Sequence, residues 1–145
     1  IIYNSSLRDR VCMDGKMTHY NSMNVLSVHA MIAAYSKEGM EWVDELRTVL
    51  DTNISYAMEF IRREFPGVSV SRPQGTYMLF LDCTDWCAAH HQTIEELQRA
   101  GMEVGVIWQD GRPFHGACHI RMNLALPHSR VKEAFERLKQ YVFLD

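Results

Sequence analysis

The chain has 145 residues, 47% of them hydrophobic and 23% charged, the proportions of a globular domain with a sizeable core rather than of a disordered or fibrous chain. Its net charge of -3 comes with Lys and Arg dispersed along the sequence, so no basic stripe invites a phosphate backbone and nucleic acid is not the expected partner. No apolar run approaches the roughly 20 residues that cross a bilayer and IIYNSSLRDR is not a secretory signal, so a cytoplasmic protein without a membrane partner is expected.

Residues 1–4 read as a short strand and SSLRDRVC as a turn leading into a helix. A four-residue strand with no neighbour, in a chain without an initiator Met, is expected to belong with a further domain outside this sequence. From Met23 to Tyr35, Val25, Val28, Ile32 and Ala33 recur at helical spacing, Asn24 stands where an N-cap belongs, and Gly39 is expected to stop the helix. A long amphipathic helix follows, with Trp42, Leu46, Val49, Leu50, Asn53, Ala57, Phe60 and Ile61 on one stripe and FPG at 65–67 as its end. VSVS and TYMLFLD read as strands joined by a turn at Pro73 to Gly75. In TIEELQRAG, Thr93 and Glu96 form a capping box and Gly101 is expected just past the helix end. EVGVI at 103–107 reads as a strand and WQDGRPFHG as a polar loop. In CHIRMNL, alternation sets Cys118, Ile120, Met122 and Leu124 on one face and His119, Arg121 and Asn123 on the other. A last helix is expected after Pro127, with Ser129 as N-cap and Val131, Phe135, Leu138 and Val142 buried.

This order implies an α+β fold, a small mixed or antiparallel sheet covered by helices, preceded by a strand-helix remnant of a larger domain. The four cysteines, Cys12, Cys83, Cys87 and Cys118, are irregularly spaced and read as reduced thiols. Cys83, Cys87, His90 and His91 offer soft ligands, yet C-x3-C followed by adjacent histidines is not a finger spacing, so no metal is expected. His19, His29, His90, His91 and His128 read as surface or structural residues. An arginine on a wet strand face is common, and alternation alone leaves open whether Arg121 meets water or a substrate.

Several segments, in order, resemble the C-terminal part of the fold type I pyridoxal-phosphate enzymes, the aspartate aminotransferase fold of the class I/II aminotransferase superfamily. NVLSVHAMIAAYSKEGMEWVDELRTVLDTN resembles the segment after the cofactor lysine. RPQGTYMLFLD resembles the strand that opens the small domain. GVIWQDGRPFHGACHIRMNLALPHSRVKEAFERL resembles the last third, where a Gly-x-x-Phe loop precedes an Arg-bearing strand and a Pro-x-Ser helix start. Within the superfamily IRMNLALPHS is most similar to the carbon-sulfur β-lyases related to cystathionine β-lyase.

The resemblance implies residues 1–35 as the tail of the large cofactor-binding domain and 36–145 as the small domain with the long interdomain helix. It implies pyridoxal 5'-phosphate as cofactor of the full-length enzyme, an amino acid substrate, a missing N-terminal large domain and a homodimer. It gives Arg121 the grip on the substrate α-carboxylate, with Tyr77 near the cleft and Asn123 supporting the site. Phe114 and His115 would border the substrate, although His115 stands where a small residue is expected. The family's Schiff-base lysine, its aspartate and its phosphate cup have no counterpart here. Lys16, Lys37, Lys132 and Lys139 stand in the wrong contexts, so no catalytic or cofactor-binding residue is expected in this chain and it should be inactive alone. A transaminase of the same fold and a non-catalytic α+β binding or oligomerisation module remain alternatives.

Overall fold

Helix caps and glycine positions set most of the element boundaries in the computed structural model, which describes residues 2–18 and 23–144. The chain divides into two compact units, Ile1–Asp44 and Glu45–Asp145.

In the first unit residues 2–4 form no strand; Ile1 and His19 lie outside the described residues. The Asn4 side chain accepts from the Leu7 N–H at 2.9 Å, and that cap opens helix α1, Ser5–Thr18. SSLRDRVC is therefore helix rather than turn, because an Asn side chain supplies an acceptor that an orphan helical donor needs. Asn24 caps α2, Val25–Ala34, by accepting from Ser27 N–H, as expected. Gly39 does not stop that helix. The break falls at Tyr35 and Ser36, the Ser36 hydroxyl accepts from Gly39 N–H at 3.1 Å, and Gly39 lies inside α3, Lys37–Glu64. A side chain on Gly39 would run into the Ala34 carbonyl, so the glycine serves the tight corner.

In the second unit α3 buries Asn53, Ile54, Ala57, Phe60 and Ile61, and ends as FPG requires. Phe65 is buried, and Gly67 takes φ +79 with Trp86 backbone 2.9 Å from where a Cβ would stand. Four strands follow: β1 Ser69–Val70, β2 Met78–Asp82, β3 Gln109–Asp110 and β4 His119–Asn123. They form one sheet in the order β1-β2-β4-β3, antiparallel at every pairing. Leu79 pairs with Met122 and Leu81 with Ile120, and all four are buried. The same core takes Trp86 from α4 (Thr84–Ala89), Ile94 and Leu97 from α5 (Ile94–Glu103), and Val131, Phe135 and Leu138 from α6 (His128–Tyr141).

Five elements of the second unit differ from expectation, the first being β3, which draws Gln109 and Asp110 out of the stretch read as a polar loop by pairing them with Arg121 and Ile120. Helix α4 arises because Asp82 Oδ1 accepts from Thr84 N–H at 3.0 Å and from its hydroxyl at 2.5 Å, starting a helical turn where the sequence offers no long periodic run. Gly101 is inside α5, where the Trp108 ring lies against it, and the left-handed residue after the helix is Gly105, φ +78. EVGVI is no strand: the N–H groups of Val104, Gly105 and Val106 donate back to Gly101 and Met102 carbonyls, so they are spent on the helix end. Ser129 is not the cap of α6; Pro127 occupies that position without a side-chain bond, and Arg130 N–H donates to its carbonyl at 2.9 Å.

Candidate functional site

On β4, Arg121 pairs with Phe80 of β2 and Gln109 of β3. The pleat sends their side chains away from the core side, together with Met78, Asp82, His119 and Asn123. Arg121 is half-buried on this open face, its guanidinium carbon 3.8 Å from the centroid of the Phe114 ring. Among the described residues its N–H donors meet no hydrogen-bond acceptor and no carboxylate. Contact through a ring face leaves the edge donors of a guanidinium available, and those donors match a carboxylate bidentately.

Phe80 packs on the His119 ring at 4.6 Å between centroids, and His119 Nε2 lies 3.8 Å from Asp82 Oδ2. The Thr84 hydroxyl beside Asp82 holds its carboxyl below the usual aspartate range; part-burial opposes this, and Thr84 N–H and His119 reinforce it. Asp110 of β3, paired with Ile120, is held down by Arg112, whose guanidinium forks onto it and also reaches Glu95.

That Asp110 to Arg112 fork fixes the turn that carries Phe114. Gly111 N–H donates to the His119 carbonyl at 2.9 Å and Phe114 N–H to the Gly111 carbonyl at 2.9 Å, closing a single 3-10 turn over Arg112–Phe114. His115 then takes φ 65, a left-handed backbone that histidine adopts more readily than branched residues. This conformation explains why a small residue is expected there. At Gly116 a Cβ would stand 2.5 Å from Phe80 Cζ and 2.6 Å from His119 Cβ. Glycine therefore lets the loop lie down on the open face.

The structure brings Arg121 and Asn123 onto one face of β4 but gives them different work. Asn123 Oδ1 accepts from Ala125 N–H at 2.8 Å, holding the turn after the strand. Tyr77 is exposed just before β2; its carbonyl accepts from Leu124 N–H at 3.0 Å, and alternation places it with Leu79 and Leu81 rather than with Phe80. Asn123 also edges a groove of about 370 Å³ lined by Val106, Ile107, Leu124, Val131 and Arg137, which does not include Arg121.

Sequence reasoning missed Asn53. It counts as a member of the apolar stripe of α3, yet it is 0% exposed and makes three polar contacts. Its Nδ2 donates to the carbonyls of Leu124 and Leu126, each at 2.9 Å, and its Oδ1 lies 2.8 Å from His128 Nδ1. With both amide hydrogens so placed, Oδ1 accepts and His128 donates. These bonds pin the connection that leaves the Arg121 strand. A lone amide in an apolar stripe was the available signal, since buried polar groups are nearly always partnered.

Cys83 and Cys87 lie buried on and before α4, with Cys118 part-buried nearby. Burial first, then the neighbouring thiols, pushes Cys83 and Cys87 well above the ordinary thiol range, which suits packing rather than nucleophilic chemistry. His90 stacks on Trp86 at 4.3 Å and its ring nitrogens reach the Trp86 and Leu144 carbonyls. Among the described residues no three His, Cys, Asp or Glu side chains gather in a metal-binding group.

No family model matches the chain. It is 32% identical over 139 residues to the Protein MalY of Escherichia coli (strain K12), covering 92% of this chain and 34% of that protein. It is 31% identical over 120 residues to the cystathionine beta-lyase PatB of Bacillus subtilis (strain 168), covering 81% of this chain and 30% of that protein. Among solved structures, the PLP-bound C-S lyase from Staphylococcus hominis superposes with a TM-score of 0.77 at 28% identity, over 96% of this chain and 36% of that one. The chain thus spans about a third of the length of the curated relatives it matches.

Proposed function

The chain belongs to the fold type I pyridoxal-phosphate enzymes, closest to their cystathionine β-lyase-like branch, and from that premise we propose that it is the C-terminal, substrate-gripping part of a carbon-sulfur β-lyase acting on an amino acid. The observation that carries the reading is Arg121, whose guanidinium is part-buried beside Phe114 with its donors uncommitted among the described residues. A planar fork takes a carboxylate through two parallel hydrogen bonds, fixing its rotation, and an ammonium on a flexible stem does not. Holding the substrate at its α-carboxylate sets which bond of the α-carbon faces the reacting centre. In this reading Tyr77, exposed ahead of β2 and on the other face from Arg121, borders the cleft only from the strand's open end, and Asn123 supports the site by holding the turn that follows the arginine strand.

Pyridoxal phosphate supplies the electron sink for such chemistry when bound. The described residues around Arg121 do not fit that group, because no lysine stands among them. Lys37 pairs with Glu41 at 3.6 Å, Lys139 with Glu64 at 2.9 Å, and Lys132 sits 5.7 Å from the Tyr56 ring. Lys16 and Lys37 both belong to the first unit rather than to the one that holds Arg121. The cofactor lysine, the phosphate cup and the large domain therefore belong to the rest of a longer protein, and the chain alone is inactive. In the same reading residues 1–35 are the tail of the large domain, 36–145 the small domain, and the whole protein a cytoplasmic homodimer. No described helix is long and apolar enough to cross a membrane.

The test is Arg121→Lys in the full-length enzyme. The reading predicts a loss of kcat/KM on the order of a hundredfold, as for other truncated charge pairs, with cofactor absorbance retained; unchanged kinetics would dispose of it. Arg121 serves β-elimination and transamination alike. The relatives' names favour the lyase, and release of pyruvate and ammonia from cystathionine or cysteine, rather than of a keto acid paired with aminated cofactor, separates the two.

A further inference from the structure

The Arg121 donors are useful only if the guanidinium is held still, since a long side chain otherwise gives up much of its rotamer freedom when it binds. In this fold no carboxylate among the described residues holds it. An ion-paired arginine would have to surrender that partner before taking a substrate. What lies against it is a ring: Phe114, 3.8 Å from the guanidinium carbon.

We propose that Phe114 is a positioning residue for the carboxylate grip, clamping the guanidinium of Arg121 by its face so that its hydrogen-bonding edge stays free for the substrate. Three features of the loop support this role. The ring is presented by a 3-10 turn closed by Phe114 N–H to the Gly111 carbonyl and anchored to β4 by Gly111 N–H to the His119 carbonyl. Asp110, forked by Arg112, fastens the base of that turn. Gly116 lets the following backbone close onto Phe80 and His119, where any Cβ would collide. Meanwhile the ring is 49% exposed and contributes nothing to the buried core. A phenylalanine kept half in water at the tip of so constrained a loop is poorly explained by packing and well explained by the cation it covers.

The inference rests on the reading of Arg121 as the carboxylate grip, and a double-mutant cycle in the full-length holoenzyme separates the two. Phe114→Leu, which keeps apolar bulk without the ring quadrupole, is expected to raise KM for the amino acid about tenfold, the size of a half-covered cation–π contact, while kcat changes less. Phe114→Tyr recovers most of that loss. Binding of an unreactive α-methyl amino acid, measured by calorimetry, follows the same pattern without turnover. In the Arg121→Lys background Phe114→Leu is expected to add less than about twofold, because the planar group it clamps is gone. Full-strength KM in Phe114→Leu, with Arg121→Lys still crippled, overturns the clamp and leaves the grip standing. Equal losses from Phe114→Leu in both backgrounds also overturn it, by reducing the ring to a structural part. An unimpaired Arg121→Lys removes both. Circular dichroism and cofactor absorbance of each variant guard against misfolding, and Phe114→Tyr, the mildest change, keeps the cycle readable should Phe114→Leu not fold.

Discussion

The two faces of one pair of strands obey different rules. On β2 and β4, Leu79, Leu81, Ile120 and Met122 face inward and are all buried. One residue along, Phe80, His119 and Arg121 face outward, and there the side chains are half-covered, aromatic or charged, each covered by a ring on one side rather than packed on all sides. The inner face is saturated, each side chain meeting core on every side. Among the described residues the outer face leaves a cation with free donors. Stability resides in the first and recognition in the second, and the period of two residues in a strand is what allows five residues to serve both.

The sharpest way to break that contrast is to truncate both faces. Leu81→Ala should cost about 3 kcal/mol by transfer and cavity terms, read as a shift in denaturant midpoint, whereas Phe80→Ala, 37% exposed, should cost about 1 kcal/mol. Equal costs would mean that the outer face is core in disguise. Next in size is Asn53→Ala, which strands the Leu124 and Leu126 carbonyls and the His128 donor. It should cost about 2 kcal/mol and loosen the exit of the arginine strand, visible as faster amide exchange at 124–128; a silent substitution would show that those groups find water instead. Smaller still, Thr93→Ala removes one arm of the capping box on α5 and should cost about 1 kcal/mol, with no effect on substrate binding.

The smallest expected effect is on the pH dependence of the outer face. The carboxyl of Asp82 is depressed, foremost by the Thr84 hydroxyl. A depressed folded-state value stabilises above the unfolded pKa and is lost as pH falls through the folded one. Thr84→Val should therefore be less stable than the parent at neutral pH, and part of that gap should close as pH drops below the ordinary aspartate value of 3.8. A gap constant across that window would show that the hydroxyl acts without the carboxylate.

Much of this was legible in the sequence because it is written locally. The capping box at Thr93 and Glu96, the alternation of β4, and the FPG end of α3 each need only a few residues to specify them, and each is found in the structure. What escaped depends on bonds between distant or backbone groups. EVGVI has strand composition, but Gly105 and the carbonyls of Gly101 and Met102 claim its donors for a helix end. Asn4 caps α1 from a stretch, residues 1–4, that reads as a short strand. Asn53 lies 71 residues from one of its partners and 75 from another, a separation no local pattern reports. At the site, the position of Arg121 on the outward face was readable. The ring against it was not, because a loop conformation depending on two glycines and a left-handed histidine puts it there.

One measurement addresses the central claim most directly: the affinity of full-length protein, with and without Arg121→Lys, for an amino acid and for the matching amine that lacks the α-carboxylate. The account predicts that the parent strongly prefers the acid and that the variant binds the two about equally. A preference that survives the loss of the guanidinium would contradict it.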